Sequence, residues 1–245
     1  MKKLVSYITA SLPDREFSID LIHGLKEAGS DIVELGMPFS DPVADGPVIE
    51  EANLRAIKAG FKLEDIFYIT EKTKDVDIAW MGYLNPFIRK GFDYFLDGAK
   101  KSGAKAFIIP DMPYEEVSIV APMCENSGVE LVSFIAPTHS EKRIETIAKN
   151  SRFFIYLVAF AGITGASKDS DLSSIIEHIK RYSSTPIYLG FGVNRDNAKQ
   201  KAKNVDGVIV GSAFVKYLID ESLTNSEKIN KITRLSLELK ERINS

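Results

Sequence analysis

Eight times along the chain a short apolar run is followed by a longer amphipathic stretch. The runs lie near residues 3–9, 31–36, 77–83, 105–109, 129–135, 152–159, 186–190 and 207–210. Their starts are spaced by about 29 residues on average, close to one strand-plus-helix unit. They read as continuous apolar text, as strands buried on both faces by helices must. Eight such alternations in 245 residues argue for an α/β fold of the (β/α)8 TIM-barrel type, with residues 1–245 as a single domain. An open eight-stranded sheet is the rival that periodicity alone leaves standing.

The intervening segments carry helix signals. Residues 14–28 open with Asp14 as a possible cap and close at Gly29, with Phe17, Leu21, Ile22, Leu25 and Ala28 on one face. Residues 115–127 begin with Glu115 and Glu116, which suit a positive helix N-terminus. Residues 226–243 place Ile229, Ile232, Leu235, Leu239 and Ile243 at helical spacing. The gap between the second and third runs exceeds one unit. It holds the loop ELGMPFSDPVADGP and then helical text over 48–60 and 63–74, so extra helix is expected after strand two.

Composition narrows the function classes. Charges of 31 basic and 34 acidic leave a net −3, without the basic surface a nucleic-acid binder needs. One cysteine, Cys124, excludes an intramolecular disulfide framework and fits a reducing, cytoplasmic setting. The longest apolar run, 153–163, is too short for a membrane span. The start has no long apolar core, so no signal peptide is expected. Three scattered histidines, His23, His139 and His178, give no metal-ligand spacing.

Two carboxylates look out of place. Side chains alternate along a strand, so Val33 and Leu35 share one face and Ile32 and Glu34 the other. If Val33 and Leu35 pack under helices, Glu34 points into the barrel at the strand's C-terminal end, where barrel enzymes keep their chemistry. A buried carboxyl there has a raised pKa, as a general acid needs; a salt-bridged strand end is the bland alternative. Asp41 and Asp45 follow in strong turn text, Ser40-Asp41-Pro42 and Ala44-Asp45-Gly46-Pro47, so turn chemistry alone accounts for either.

Glycine clusters follow the last three runs: Gly162-Ile163-Thr164-Gly165, Gly190-Phe191-Gly192 and Gly211-Ser212. Glycines bring backbone N–H groups close to an anion, and barrels often bind phosphate after strands seven and eight. Ser212 can cap a short extra helix after strand eight. The segment 162–171 reads as a lid or as a plain surface loop.

The combined text, ELGMPFSDPVADGPVI, Asn85-Pro86, PDMPYEE, GITGA, GFGV and GSAFVK in order, resembles the tryptophan synthase alpha chain family over nearly the whole chain. The resemblance implies cleavage of indole-3-glycerol phosphate to indole and glyceraldehyde 3-phosphate, with indole passed to a beta chain. It implies no cofactor in this chain, pyridoxal phosphate in the beta partner, and an α2β2 heterotetramer. By position, Glu34 matches the acid–base and Asp45 the carboxylate that holds the indole N–H. Tyr156 matches a tyrosine beside that aspartate, and Thr164 a lid threonine bonded to it. Gly165, Gly192, Gly211 and Ser212 match the phosphate-binding groups. Tyr7, Ile49, Met81, Phe191 and the strand-five end around Ile135 are candidates to wall the indole, and ordinary core packing is the alternative for each. Lys105 falls at the start of strand four, the wrong end for a Schiff base. The loop 37–45 and the lid are the expected partner contacts. Two departures stand out. Strand one begins almost at Met1, without the segment many relatives carry before it, and Phe160 stands where an arginine is common. Two rivals stay open: another phosphate-sugar barrel, and a barrel kept as an allosteric binding subunit.

Overall fold

A computed structural model describes residues 1–159 and 172–245. Among the described residues nine strands, all parallel, form one sheet: β1 (Lys3–Thr9), β2 (Ile32–Gly36), β3 (Ile78–Met81), β4 (Ala106–Ile108), β5 (Glu130–Leu131), β6 (Ser133–Ile135), β7 (Ile155–Val158), β8 (Ile187–Gly190) and β9 (Gly207–Val210). Their order is β5-β4-β3-β2-β1-β9-β8-β7-β6. The fifth apolar run is thus split. Its first half pairs with β4, and the N–H of Val132 extends that ladder to the Phe107 carbonyl at 2.9 Å. Its second half pairs with β7. One strip of chain therefore serves both neighbours, and the sheet closes through it into the eight-position barrel expected from the alternation.

Helices surround this sheet. Before β5 they are α1 (Arg15–Glu27), α2 (Pro47–Lys58), α3 (Leu63–Lys72), α4 (Leu84–Lys90), α5 (Phe92–Ser102) and α6 (Tyr114–Ser127). After β6 they are α7 (Glu141–Asn150), α8 (Ser173–Tyr182), α9 (Ala198–Lys201), α10 (Ser212–Leu218) and α11 (Asn225–Ile243). The doubled helices after β2 and after β9 match the sequence reading. A third doubling after β3 was not anticipated; Gly91, at φ +89°, breaks that stretch into α4 and α5. The starts are capped as the text implies. Asp14 accepts the Phe17 N–H at 2.8 Å, and Thr224 and Glu227 form a reciprocal capping box on α11. For α10 the cap falls one residue early, on Gly211 rather than Ser212, and no side chain supplies it.

Burial follows strand alternation. Val33, Leu35 and Trp80 are fully buried, and the Trp80 indole N–H bonds Thr70 Oγ1 of α3 at 2.8 Å. These side chains face the helices. A separate cluster packs Ile135, Leu157, Ile187 and Leu189 against Ile144, Ile147, Ile176 and Ile179 of α7 and α8. The intervening positions, Tyr7, Glu34, Phe134 and Tyr156, face a cavity instead.

Candidate active site

That cavity, of about 210 Å³, opens among the C-terminal ends of the strands. Glu34 lies on β2 beside Tyr7 of β1 in the sheet register. It is 3% exposed, and its Oε2 has no hydrogen-bond partner among the described residues. Among the described residues no ion pair reaches it, against the salt-bridged alternative. Burial, with the nearby Asp45 adding to it, pushes the Glu34 pKa up to about 8. A carboxylate left without donors in a low-dielectric site holds its proton.

Asp45 sits in the loop after β2, and the turn reading is correct as far as it goes. The Val43 N–H bonds Asp41 O and the Asp45 N–H bonds Pro42 O, both at 2.9 Å. The side chain does more than make a turn. Its Oδ2 accepts the Tyr83 hydroxyl at 2.9 Å. Burial raises its pKa to about 6, a rise held back by hydrogen bonds from Tyr83 and Asn53. The two carboxyls are therefore driven apart: Glu34 is protonated at neutral pH and Asp45 ionised. Asp41 is exposed and does not line the cavity.

Aromatic and aliphatic side chains wall the space between. Tyr156 stacks on Phe134 at 4.8 Å, and Phe191 lies 6.0 Å from the Tyr156 ring. Ile49, Met81 and Ile108 complete the wall. The two tyrosines need glycines on the next strand. A Cβ at Gly36 would lie 2.4 Å from the Tyr7 hydroxyl, and one at Gly190 2.2 Å from the Tyr156 ring. The expectation for Ile135 is corrected. It is fully buried in the α7–α8 cluster, and its neighbour Phe134 faces the cavity.

The far end of the cavity is lined by Gly192, Gly211, Ser212 and Ala213, with Lys216 beside them. Phe191 holds φ +68° and Gly192 φ +69°. A left-handed phenylalanine is a strained conformation of the kind that clusters at ligand sites. Thr164, Gly165 and Phe160 lie outside the described residues. Among the described residues no group of three His, Cys, Asp or Glu could hold a metal ion, and no helix is long and apolar enough to cross a membrane.

Sequence reasoning did not single out Tyr83, Asn53, Phe134 or Lys216. Tyr83 had a legible signal: a polar aromatic just past the C-terminal end of a strand. Asn53 had none, since it reads as one more residue of α2.

A parallel barrel with two carboxyls raised to different degrees and a glycine-lined far end defines the class of TIM-barrel enzymes built for acid–base chemistry. The model of the family described as tryptophan synthase alpha chain matches residues 1–244. A tryptophan synthase alpha chain from Wolinella succinogenes is 55% identical, covering 100% of this chain and 97% of its own. One from Thermoanaerobacter sp. is 37% identical, covering 98% and 93%. Among solved structures, tryptophan synthase from M. tuberculosis in an aminoacrylate-bound form superposes with TM-score 0.87 at 28% identity, covering 99% of this chain and 93% of that one. A mutant tryptophan synthase alpha-subunit from Pyrococcus furiosus gives 0.85 at 31% identity, covering 98% and 99%.

The chain belongs to the tryptophan synthase alpha chain family. Its reaction is the cleavage of indole-3-glycerol phosphate to indole and glyceraldehyde 3-phosphate in tryptophan biosynthesis, with a beta chain as partner. The rival readings, another phosphate-sugar barrel or a binding subunit without chemistry, give way to it.

Proposed function

We propose that Glu34 is the general acid–base of this retro-aldol cleavage and that Asp45 holds the indole N–H. In its protonated form Glu34 delivers its proton to C3 of the ring, and positive charge develops at N1. The ionised Asp45 accepts the N1 hydrogen bond and stabilises that charge. Glu34, now a carboxylate, takes the proton of the hydroxyl on the adjoining glycerol carbon. The carbonyl forms, the C3–carbon bond breaks, and its electron pair restores the aromatic ring. Glu34 ends protonated, ready for the next turnover.

The observation that carries this reading is the buried Glu34 carboxyl, whose Oε2 has no partner among the described residues, facing the cavity beside a separately held Asp45. Tyr156, Tyr7, Phe191 and Ile49 wall the indole. Gly192, Gly211 and Ser212, with Gly165, take the phosphate through backbone N–H groups and the Ser212 hydroxyl, and Thr164 bonds Asp45. Residues 1–245 act as one barrel domain in the cytoplasm, without a cofactor of their own. The beta chain carries pyridoxal phosphate and joins it in an α2β2 assembly through the loop 37–45 and the lid.

Indole release from indole-3-glycerol phosphate is the direct test. Glu34→Gln should lower kcat by at least about a hundredfold, the usual scale for losing a general acid–base, while its circular dichroism stays that of the parent. Near-parental turnover by that variant would refute the assignment. The parent should show a bell-shaped kcat/KM profile, rising as Asp45 ionises at about 6 and falling as Glu34 loses its proton at about 8.

A further inference from the structure

Resting on the reading of Asp45 above, we propose that Tyr83 is a positioning residue of the reaction. Its phenol fixes the Asp45 carboxylate, and through Ala44 the loop that carries it, against the end of β3. Tyr83 follows Gly82 just beyond β3 and is 1% exposed. Its hydroxyl donates to Asp45 Oδ2 at 2.9 Å and accepts the Ala44 N–H at 3.1 Å. Donor and acceptor are thus both spent on consecutive residues of one loop. Phe39, at the start of that loop, stacks on the same ring at 5.3 Å and 25°. The bonds from Val43 to Asp41 and from Asp45 to Pro42 are internal to the loop. They shape its middle; the Met37 N–H ties its start to Met81 O of β3 at 2.8 Å, and the Tyr83 phenol ties its Ala44–Asp45 end to the segment just past that strand.

Among the described residues five side chains face Asp45: Tyr83 from the β3 end, Asn53 from α2, Glu34 from β2, Tyr7 from β1 and Tyr156 from β7. Of these five, Tyr83 and Asn53 hydrogen-bond to it. A donor aimed at a carboxylate favours the ionised form, the form that accepts the ring N–H. Burial, and then the Asp45 charge, push the Tyr83 phenol above its ordinary value. It therefore stays protonated, and so a donor, across the working range. The result is an Asp45 pre-set in place and in charge before substrate arrives, which limits reorganisation during the reaction.

Two variants keep the ring and change only the donor. Tyr83→Phe removes the hydroxyl. The acid limb of the kcat/KM profile, which reads the free enzyme, should move up by roughly one pH unit, as expected for losing one hydrogen bond to a charged group, and the bell should narrow toward its alkaline side. Tyr83→3-fluorotyrosine makes the phenol a stronger donor, so the limb should move down. A purely structural role would not give shifts of opposite sign. Should Tyr83→Phe fail to fold, the fluorinated protein still reads the effect. Acid limbs at the parental position would overturn the proposal. Asp45→Asn, assayed alongside, separates the two ways of failing. If it cleaves at the parental rate, the role given to Asp45 is wrong and the proposal falls with it. If it is inactive while the Tyr83 variants keep the parental limb, Asp45 stands and the positioning role alone is overturned.

Discussion

Glu34 states the central conflict in one side chain: a carboxyl kept where a carboxylate is unwelcome. Its pKa in the folded chain, about 8, lies above the ordinary 4.5. The folded state therefore binds the proton that the unfolded chain releases, and stability falls as pH rises through that window. Stability is fully retained below about 4.5 and lost progressively up to about 8. Glu34→Gln, which cannot ionise, should flatten this slope. In thermal melts it should gain on the parent as pH rises, by on the order of a few kcal/mol at the alkaline end; parallel melting curves across pH would contradict the assigned pKa. Glu34 could be read from the sequence because strand alternation fixes which way it points once Val33 and Leu35 are given to the helices. Asp45 was only half legible, since its turn bonds are local and its Tyr83 bond spans 38 residues. Ile135 was misassigned for a related reason. The chain changes partners at Val132, and an uninterrupted strand is the wrong template for deciding which of Phe134 and Ile135 faces inward.

Elements were legible where their ends carry local chemistry. Asp14 before α1 and Thr224 with Glu227 before α11 are signals written in adjacent residues. The break between α4 and α5 depends on one glycine and was hidden in continuous helical text. The short helix α10 shows how an element is set from both ends. Gly211 opens it beside the cavity, and its last carbonyls are held from elsewhere in the chain. Lys228 Nζ donates to Leu218 O at 2.8 Å, and Arg55 donates to Ile219 O at 2.9 Å. Cations at a helix C-terminus complement its dipole. The cap on α1 is a simpler case, and Asp14 does not line the cavity. Asp14→Ala should cost about 1 kcal/mol and lower Tm by roughly 2–4 °C, with kcat/KM unaltered. A Tm equal to the parent's would mean that the Phe17 N–H finds another partner when the aspartate is gone.

Across the whole molecule the two ends of the barrel do different work. At the C-terminal ends of the strands lie Glu34 Oε2, unpartnered among the described residues, and the strained Phe191 at positive φ. At the opposite end, polar groups are matched, and the first residues are tied to the last. The Lys2 N–H bonds Asn244 Oδ1 at 2.7 Å. Lys240 of α11 donates to Lys2 O at 2.9 Å and pairs with Asp31. Asp31 also accepts the Leu4 N–H at 2.8 Å and Lys3 Nζ at 2.9 Å. Burial alone would raise the Asp31 pKa, but the bonds from Lys240, Leu4 and Lys3 outweigh it and hold the group below its ordinary 3.8. Its contribution is therefore present above that value and lost as pH falls below it. Lys240→Met removes one partner of a pair whose side chains are only 16% and 18% exposed. The loss should be about 1–3 kcal/mol, seen as a lower urea midpoint near neutral pH and shrinking in acid. Because the chemistry lies at the other end of the strands, kcat/KM should not change. A loss of activity at full stability would mean that the two ends are coupled through the strands, and the division of labour between them would have to be abandoned.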